Sequence, residues 1–399
     1  MRLGIVYHTR FWQAADGSLW ESEGSFARYV DSLAPYFDQI SLCVPVREPA
    51  GGGGCRVWAP NVHLAPLPDF DGPRHFYPCL PAVLQALSSF VKDWDVLHCR
   101  VPTPSAFPAF AMARRRGLPV FLLVVGDLQS LVSSLPYRGM KRLLYRTYVA
   151  WEEWGLKRMI RRSLTFTNGE ALYLKHRSHS SMILETKTTT IKNEDIADRE
   201  DTCSGSNIRL LCVSRIDPRK GLRCFPEALD RLRKNGRDVC LDIVGPAVGQ
   251  AGEDERERIL AEANSLGLQR SLRFLGPMPL DVLLSLYREY DLFALPTLPG
   301  EGIPRVLLEA MAAGLPIVTT EVAGIPSLVR HEVNGLLIPV SSAAEVADAV
   351  GRLLKEPSLR QSLIKHGYET ARLYTLEHQA LWMMERVAAH TGFSLSRHA

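Results

Sequence analysis

The 399-residue chain lacks any apolar run long enough to cross a bilayer. It opens with Met1-Arg2-Leu3-Gly4-Ile5-Val6-Tyr7, too short for a signal peptide and better suited to a first strand. Together these absences lead to the expectation of a cytoplasmic protein. Cysteine pairs at metal spacing are missing too. The eight cysteines lie in the first 240 residues, with no C-x-x-C pair among them. Cys43, Cys99, Cys212 and Cys240 fall in strand-like runs, the pattern of buried free thiols rather than of zinc ligands or disulfides. No G-x-G-x-x-G occurs, which leaves a nicotinamide dehydrogenase without support. A formal charge of +4 is too small for a chain-wide nucleic-acid argument, so its local distribution matters more.

What the chain does have is regular alternation. Segments 3–7, 40–44, 96–99, 120–125 and 164–167 read as strands. Helical spacing runs over 25–33, 81–91, 105–116 and 141–162. Composition turns polar and charged from Thr186 to Ser206, where an interdomain linker is expected. A second series then begins at 208–213, with strands at 239–244, 272–275 and 292–295 between helices near 222–234, 253–266 and 279–290. The expected fold class is α/β, with two Rossmann-like domains at 1–195 and 206–375 and a closing helical segment at 376–399. Ligands of such sheets gather at the carboxyl ends of the strands.

The stretch 298–318 carries the most chemistry: Leu-Pro-Gly-Glu-Gly-Ile-Pro-Arg-Val-Leu-Leu-Glu-Ala-Met-Ala-Ala-Gly-Leu-Pro-Ile-Val. It reads as loop, helix, stop and buried strand. Gly300 and Gly302 flank Glu301 and let the backbone pass close to a ligand. Pro304 suits the first helical position. Val306, Leu307, Ala310 and Met311 share one face, and Gly314 before Pro316 supplies the stop. At the helix entrance the amides of Gly302, Ile303, Arg305 and Val306 have few intrahelical partners, and the dipole adds partial positive charge. Such an end suits a phosphate or a row of sugar hydroxyls. Glu301 and Glu309 suit the hydroxyls; the same residues also describe a capped helix with one surface and one incidental glutamate. Arg215 and Lys220, beside Gly221, form a diphosphate clamp in one reading and solvated loop cations in the other.

Glu301 and Glu309, with seven residues between them in an E-G-I-P-x-x-x-x-E-A-M-A-x-G-x-P frame, resemble the paired-glutamate signature of the GT4 family of retaining glycosyltransferases. The likeness extends upstream over 213–222 and downstream over Gly324-Ile325-Pro326 and Asn334-Gly335-Leu336-Leu337. It implies the GT-B fold: two Rossmann-like β/α/β domains facing each other across a cleft, the first for the acceptor and the second for the nucleotide sugar, with a last helix crossing back. The implied reaction moves a hexosyl group, with retention, from a nucleotide diphosphate sugar to a hydroxyl of a glycan or lipid-linked acceptor. No metal or other cofactor is expected, and no D-x-D pair or His/Cys cluster stands where it would serve. By the same resemblance Glu301 holds the donor hexose and Glu309 the ribose. Arg215, Lys220 and the amides about Gly302 stabilise the leaving diphosphate. Ile303, Pro304, Arg305 and Val306 line the donor, Gly245 and Met278 lie near the nucleotide, and Gly24-Ser25 takes the place of a two-glycine loop that faces the diphosphate.

Two features depart from the family or add to it. Gly126 stands where relatives often carry a histidine. Asp127 follows, and either orients the donor hexose or acceptor hydroxyl, or caps the segment from Leu128. The stretch 138–162 interleaves Arg and Lys with Leu143, Leu144, Tyr145, Tyr148, Trp151 and Trp154. It suits the surface of an anionic membrane, or a solvated helix whose aromatics face the core, with Glu152 and Glu153 interrupting the charge. Nucleic acid is not expected as a partner. A GT-B sugar-nucleotide epimerase and a non-catalytic nucleotide-sugar binder remain as alternatives.

Overall fold

The computed structural model describes the chain except residues 23, 48–53, 71, 130–138, 206, 300–302, 323, 341 and 394–399, and the side chains of Pro73 and Lys141. The chain divides into two compact units, Met1–Thr188 with Gln379–Ala399, and Thr189–His378.

In the first unit the strands are β1 (Arg2–Val6), β2 (Phe11–Gln13), β3 (Leu19–Glu21), β4 (Gln39–Pro45), β5 (Cys55–Arg56), β6 (Val62–Leu67), β7 (Val96–Val101), β8 (Val120–Val124), β9 (Leu164–Asn168) and β10 (Ile183–Thr186). Seven of them form a parallel sheet in the order β10-β9-β8-β7-β1-β4-β6. Its central members read as unbroken apolar runs because both faces are covered; all five residues of β8 are buried. The order reverses between β1 and β7. The remaining three strands make a small antiparallel sheet, β2-β3-β5, on which Trp12 and Trp20 stack at 5.7 Å.

The second unit repeats the plan with β11 (Ile208–Val213), β12 (Val239–Val244), β13 (Leu272–Gly276), β14 (Leu292–Leu295), β15 (Ile317–Thr320) and β16 (Leu336–Ile338), ordered β13-β12-β11-β14-β15-β16. Here the reversal falls between β11 and β14. All its strand pairs are parallel.

Three differences from the sequence reading have physical causes. The helix expected from Pro81 begins at Gly72 and runs to Phe90 with Pro78 and Pro81 inside it. Its buried Phe76, Val83 and Leu87 outweigh the missing amide bonds, which cost about 3 kcal/mol each in an exposed helix. The polar stretch after Thr188 is strapped to the second unit. Ala197 N–H donates to Ala312 O at 2.8 Å, Arg199 reaches Tyr290 O at 3.0 Å, and Arg360 pairs with Asp201 at 2.9 Å. Finally, Cys240 is only half-buried, whereas Cys43, Cys99 and Cys212 are buried as expected; all eight thiols are free.

Candidate functional site

The loops after β11 and β14 flank the point where the strand order of the second sheet reverses, the crevice in which open α/β sheets bind ligands. Arg215 and Lys220 lie on the first loop. Asp217 opens the short 3-10 turn Pro218–Lys220, its carboxylate taking the Arg219 N–H at 2.9 Å. The Arg219 guanidinium, 2.7 Å away, holds the Asp217 carboxyl down to about 2. Lys220 is buried, at 8% exposure, while Arg215 is exposed.

Two glycines fix this edge. Gly221 has φ +67°, and a Cβ there would overlap the Pro296 carbonyl oxygen. Leu298 N–H also donates to Arg219 O at 2.9 Å, so the loops after β11 and β14 are pressed together. Gly245 has φ +140°, and a Cβ there would overlap the Ser214 carbonyl oxygen. Its N–H donates to Gly276 O at 2.9 Å, which joins the ends of β12 and β13 to the same cluster. Met278, just beyond β13, is half-buried against the core of this unit.

The helix after β14 spans Arg305–Ala312. Pro304 was expected at its first position; with ψ 122° it is instead the extended residue that precedes the first turn. Its carbonyl accepts the Leu307 N–H at 3.2 Å, and its ring, which offers no N–H, costs nothing there either. Ile303 and Val306 pack on the core, and Arg305 is exposed. Glu301 and Gly302 lie outside the described residues. The stop is as expected: Gly314, at φ +72°, donates to Met311 O at 3.1 Å and Leu315 N–H to Ala310 O at 3.0 Å, the paired bonds of a Schellman cap.

Glu309 is buried, not a surface residue. It is 4% exposed, and its two oxygens accept from Thr190 Oγ1 at 2.5 Å and Tyr287 Oη at 2.9 Å. Burial, reinforced by the carboxylate itself, pushes the Tyr287 hydroxyl far up and keeps it a donor. Each oxygen retains acceptor capacity for a further donor. Neither Thr190 nor Tyr287 was legible as a partner. Thr190 ends a run of three threonines and Tyr287 ends an amphipathic helix, positions that core packing explains equally well.

The first unit presents a different edge. Ser25 begins the helix Phe26–Leu33 without a side-chain cap bond. That bond comes from Glu21, a buried residue the sequence reading missed, whose Oε2 accepts the Ala27 N–H at 2.9 Å. A Cβ on Gly24, which has φ +109°, would lie 2.8 Å from Glu21 Oε1. A carboxylate therefore already occupies this helix start. Asp127, beyond β8, accepts the Gln129 N–H at 2.9 Å, as a cap does, and pairs with Lys175 Nζ at 2.7 Å. Lys175 continues to Glu153 at 3.2 Å. On the helix Gly139–Ile160, Val149, Leu156, Met159 and Ile160 are buried. Met140, Leu143, Leu144, Trp151 and Trp154 are exposed, and Arg158 lies 4.3 Å from the Trp154 ring. Among the described residues no helix is long and apolar enough to cross a membrane, and no His/Cys/Asp/Glu group is arranged to hold a metal.

Residues 195–370 match the family model of the glycosyl transferases group 1. That match covers somewhat less than half of the chain. The region holds Arg215, Lys220, Gly245, Met278 and Glu309. Over the whole chain, solved structures show the fold. A Thermosynechococcus elongatus sucrose-phosphate synthase, 18% identical, superposes with a TM-score of 0.71 over 99% of this chain and 100% of that one. Anabaena HepE in complex with UDP, 16% identical, gives 0.67 over 97% and 99%. These likenesses establish a GT-B fold of two Rossmann-like units. Curated relatives match over shorter spans. A D-inositol 3-phosphate glycosyltransferase of Corynebacterium jeikeium is 37% identical over 152 residues, 37% of this chain and 35% of that protein. A phosphatidyl-myo-inositol mannosyltransferase of Mycobacterium leprae is 34% identical over 166 residues, 41% of this chain and 42% of that protein. The match thus spans well under half the length of these relatives.

Proposed function

We propose that this chain is a retaining GT4-type glycosyltransferase that moves a hexosyl group from a nucleotide diphosphate sugar to a hydroxyl of a glycan or lipid-linked acceptor. The observation that carries the proposal is the placement of Arg215 and Lys220 at the switch point of the second sheet, on a loop bonded to the one that leads into Arg305–Ala312. As the glycosidic bond breaks, negative charge builds on the leaving diphosphate. A buried ammonium and a guanidinium already in position stabilise that charge more than the ground state, with no reorganisation at the moment of reaction. The amides around Gly302 complete the clamp. Glu301 binds the hexose. Glu309, held by Thr190 and Tyr287, presents its remaining lone pairs to the ribose hydroxyls.

No carboxylate nucleophile is assigned. Two carboxylates flanking the scissile bond of a retaining hydrolase stand about 5 Å apart, whereas Glu309 serves the nucleotide. The departing phosphate takes the acceptor proton on the same face, and no metal takes part. Gly24-Ser25, backed by Glu21, approaches sugar hydroxyls more readily than phosphate, since a second negative charge beside a buried carboxylate is unfavourable. Asp127 orients the hexose or the acceptor. The chain works in the cytoplasm, at a membrane surface contacted by the exposed apolar residues and arginines of Gly139–Ile160. If Arg142/Arg146→Glu binds anionic vesicles as the parent does, that contact is wrong.

A thermal-shift screen over UDP-, GDP- and ADP-sugars tests the central reading. A specific donor at a hundred times its Kd stabilises the native state by about 2.7 kcal/mol. A chain that no nucleotide sugar stabilises is not a transferase of this kind.

A further inference from the structure

We propose that Thr190 is a positioning residue of the nucleotide site: its hydroxyl sets the Glu309 carboxylate for the ribose and links occupancy of that site to the segment by which the chain enters the second unit. The inference rests on the glycosyl-transfer reading above and adds a regulatory connection to it.

The two donors to Glu309 differ in origin. Tyr287 ends the helix Leu280–Tyr287; it is fully buried, and its ring lies 6.0 Å from that of Phe293 on β14. The core of the unit holds it in place. Thr190 belongs to no helix or strand. It is the second residue of the second unit, which the chain enters at Thr189. Its Oγ1 donates to Glu309 Oε1 at 2.5 Å, with both residues buried, at 3% and 4% exposure. A hydroxyl on a carboxylate at that length is a charge-assisted bond, roughly twice as strong as a neutral one.

Thr190 is in turn held by the segment around it. The carbonyl of the fully buried Ile191 accepts the Leu376 N–H at 2.8 Å, and the Glu377 carboxylate accepts the Asn193 N–H at 3.0 Å. Leu376 and Glu377 open the helix Leu376–Thr391, along which the chain leaves the second unit again. Farther on, Ala197 N–H donates to Ala312 O at 2.8 Å, and Ala312 closes the helix that carries Glu309. The entering segment is therefore fastened to the Glu309 helix at two points, one a side chain and one a backbone amide. Between them it is fastened to the leaving helix.

The hydroxyl does what packing alone would not. Valine fills the same space but offers no donor, so in Thr190→Val the Glu309 Oε1 loses a buried partner. A carboxylate held by Tyr287 alone can turn about its terminal torsion, whose well is broad. Its lone pairs then no longer converge on two adjacent hydroxyls. Conversely, a ribose bonded to Glu309 pins the same carboxylate, so the Thr190 bond opens less often and the segment behind it is steadied. By linkage, a steadied segment favours the nucleotide by the same factor.

The full chain is titrated by calorimetry with UDP and GDP and with their 2′,3′-dideoxy counterparts. The parent should bind one ribonucleotide at least about tenfold more tightly than its dideoxy form, because a sugar without hydroxyls leaves the buried carboxylate short of donors. Thr190→Val should weaken that ribonucleotide about tenfold and leave the dideoxy form as it was. Thr190→Ser should restore the parent values. A merely structural defect would lower both affinities. Hydrogen exchange at saturating ribonucleotide reads the link: amides of 189–197 and 374–378 should be slowed in the parent and not in Thr190→Val. An unmoved ribonucleotide affinity in Thr190→Val, an equal loss on both nucleotide forms, or protection that this variant keeps overturns the proposal. If Thr190→Val does not fold, the parent decides: exchange slowed by the ribonucleotide and not by the dideoxy form upholds the proposal, and exchange that both slow alike, or neither, overturns it. A parent that binds no nucleotide fells the glycosyl-transfer reading and the proposal with it. A parent that binds ribose and dideoxyribose forms alike leaves that reading standing and overturns the proposal alone.

Discussion

The carboxyl edges of the two sheets share a strand logic and differ in charge. In each unit the order reverses once, between β1 and β7 and between β11 and β14. At the second edge stand Arg215 and Lys220, held by glycines whose Cβ positions are filled by neighbouring carbonyls. At the first edge stand Glu21, Asp127, Glu152 and Glu153, with Lys175 joining two of them. One Rossmann-like plan thus carries a cation pair at one edge and a cluster of carboxylates at the other. The fold decides where a ligand can sit, and a few loop residues decide which ligand.

The cationic edge is the easier to break. If the buried Lys220 ammonium stabilises the leaving diphosphate as proposed, Lys220→Ala should lower turnover roughly a hundredfold, about 3 kcal/mol of transition-state stabilisation. Stopped assays at saturating donor would show it; a loss confined to the donor KM would mean that Lys220 binds substrate and transition state alike. Gly245→Ala attacks the frame instead. Its left-handed φ and the Ser214 carbonyl leave no room for a methyl group. A cost of about 2 kcal/mol is expected, or a Tm of the second unit roughly 6 °C lower. An unchanged melting curve would show that the strand ends are not packed as described.

Sequence and structure agree most closely where one residue type has one physical use. Gly314 before Pro316 announced a helix stop, and the Schellman bonds are there. Parallel strands announced themselves as apolar runs because both faces are covered. The polar partners were not legible, because they depend on long-range proximity. Thr190 lies 119 positions from Glu309, and Lys175 lies 48 from Asp127. Glu21 caps a helix from five residues before its start, outside the usual capping spacing. Pro78 and Pro81 concealed the first turns of a helix that tertiary packing holds regardless.

The acidic edge gives smaller effects. Asparagine at position 127 can still cap the Gln129 N–H but loses the charge that meets Lys175 at 2.7 Å. If Asp127 orients a substrate, Asp127→Asn lowers kcat/KM about tenfold, near 1.4 kcal/mol, with the Tm little changed. If it is a cap alone, turnover stays at the parent value.

The smallest effect separates the two edges by sign. Asp217, held down to about 2 beside Arg219, stabilises the fold above its ordinary carboxylate range and ceases to as pH falls through 2. Glu152, raised from 4.5 to about 7 by burial, behaves oppositely. Its protonated form is favoured in the folded chain, so its contribution is complete below 4.5 and disappears as pH rises through 7. Glu152→Gln keeps a neutral side chain at every pH. The Tm of this variant minus that of the parent should therefore grow as pH is raised from 5 to 8. A difference that is flat over that interval would place Glu152 in water.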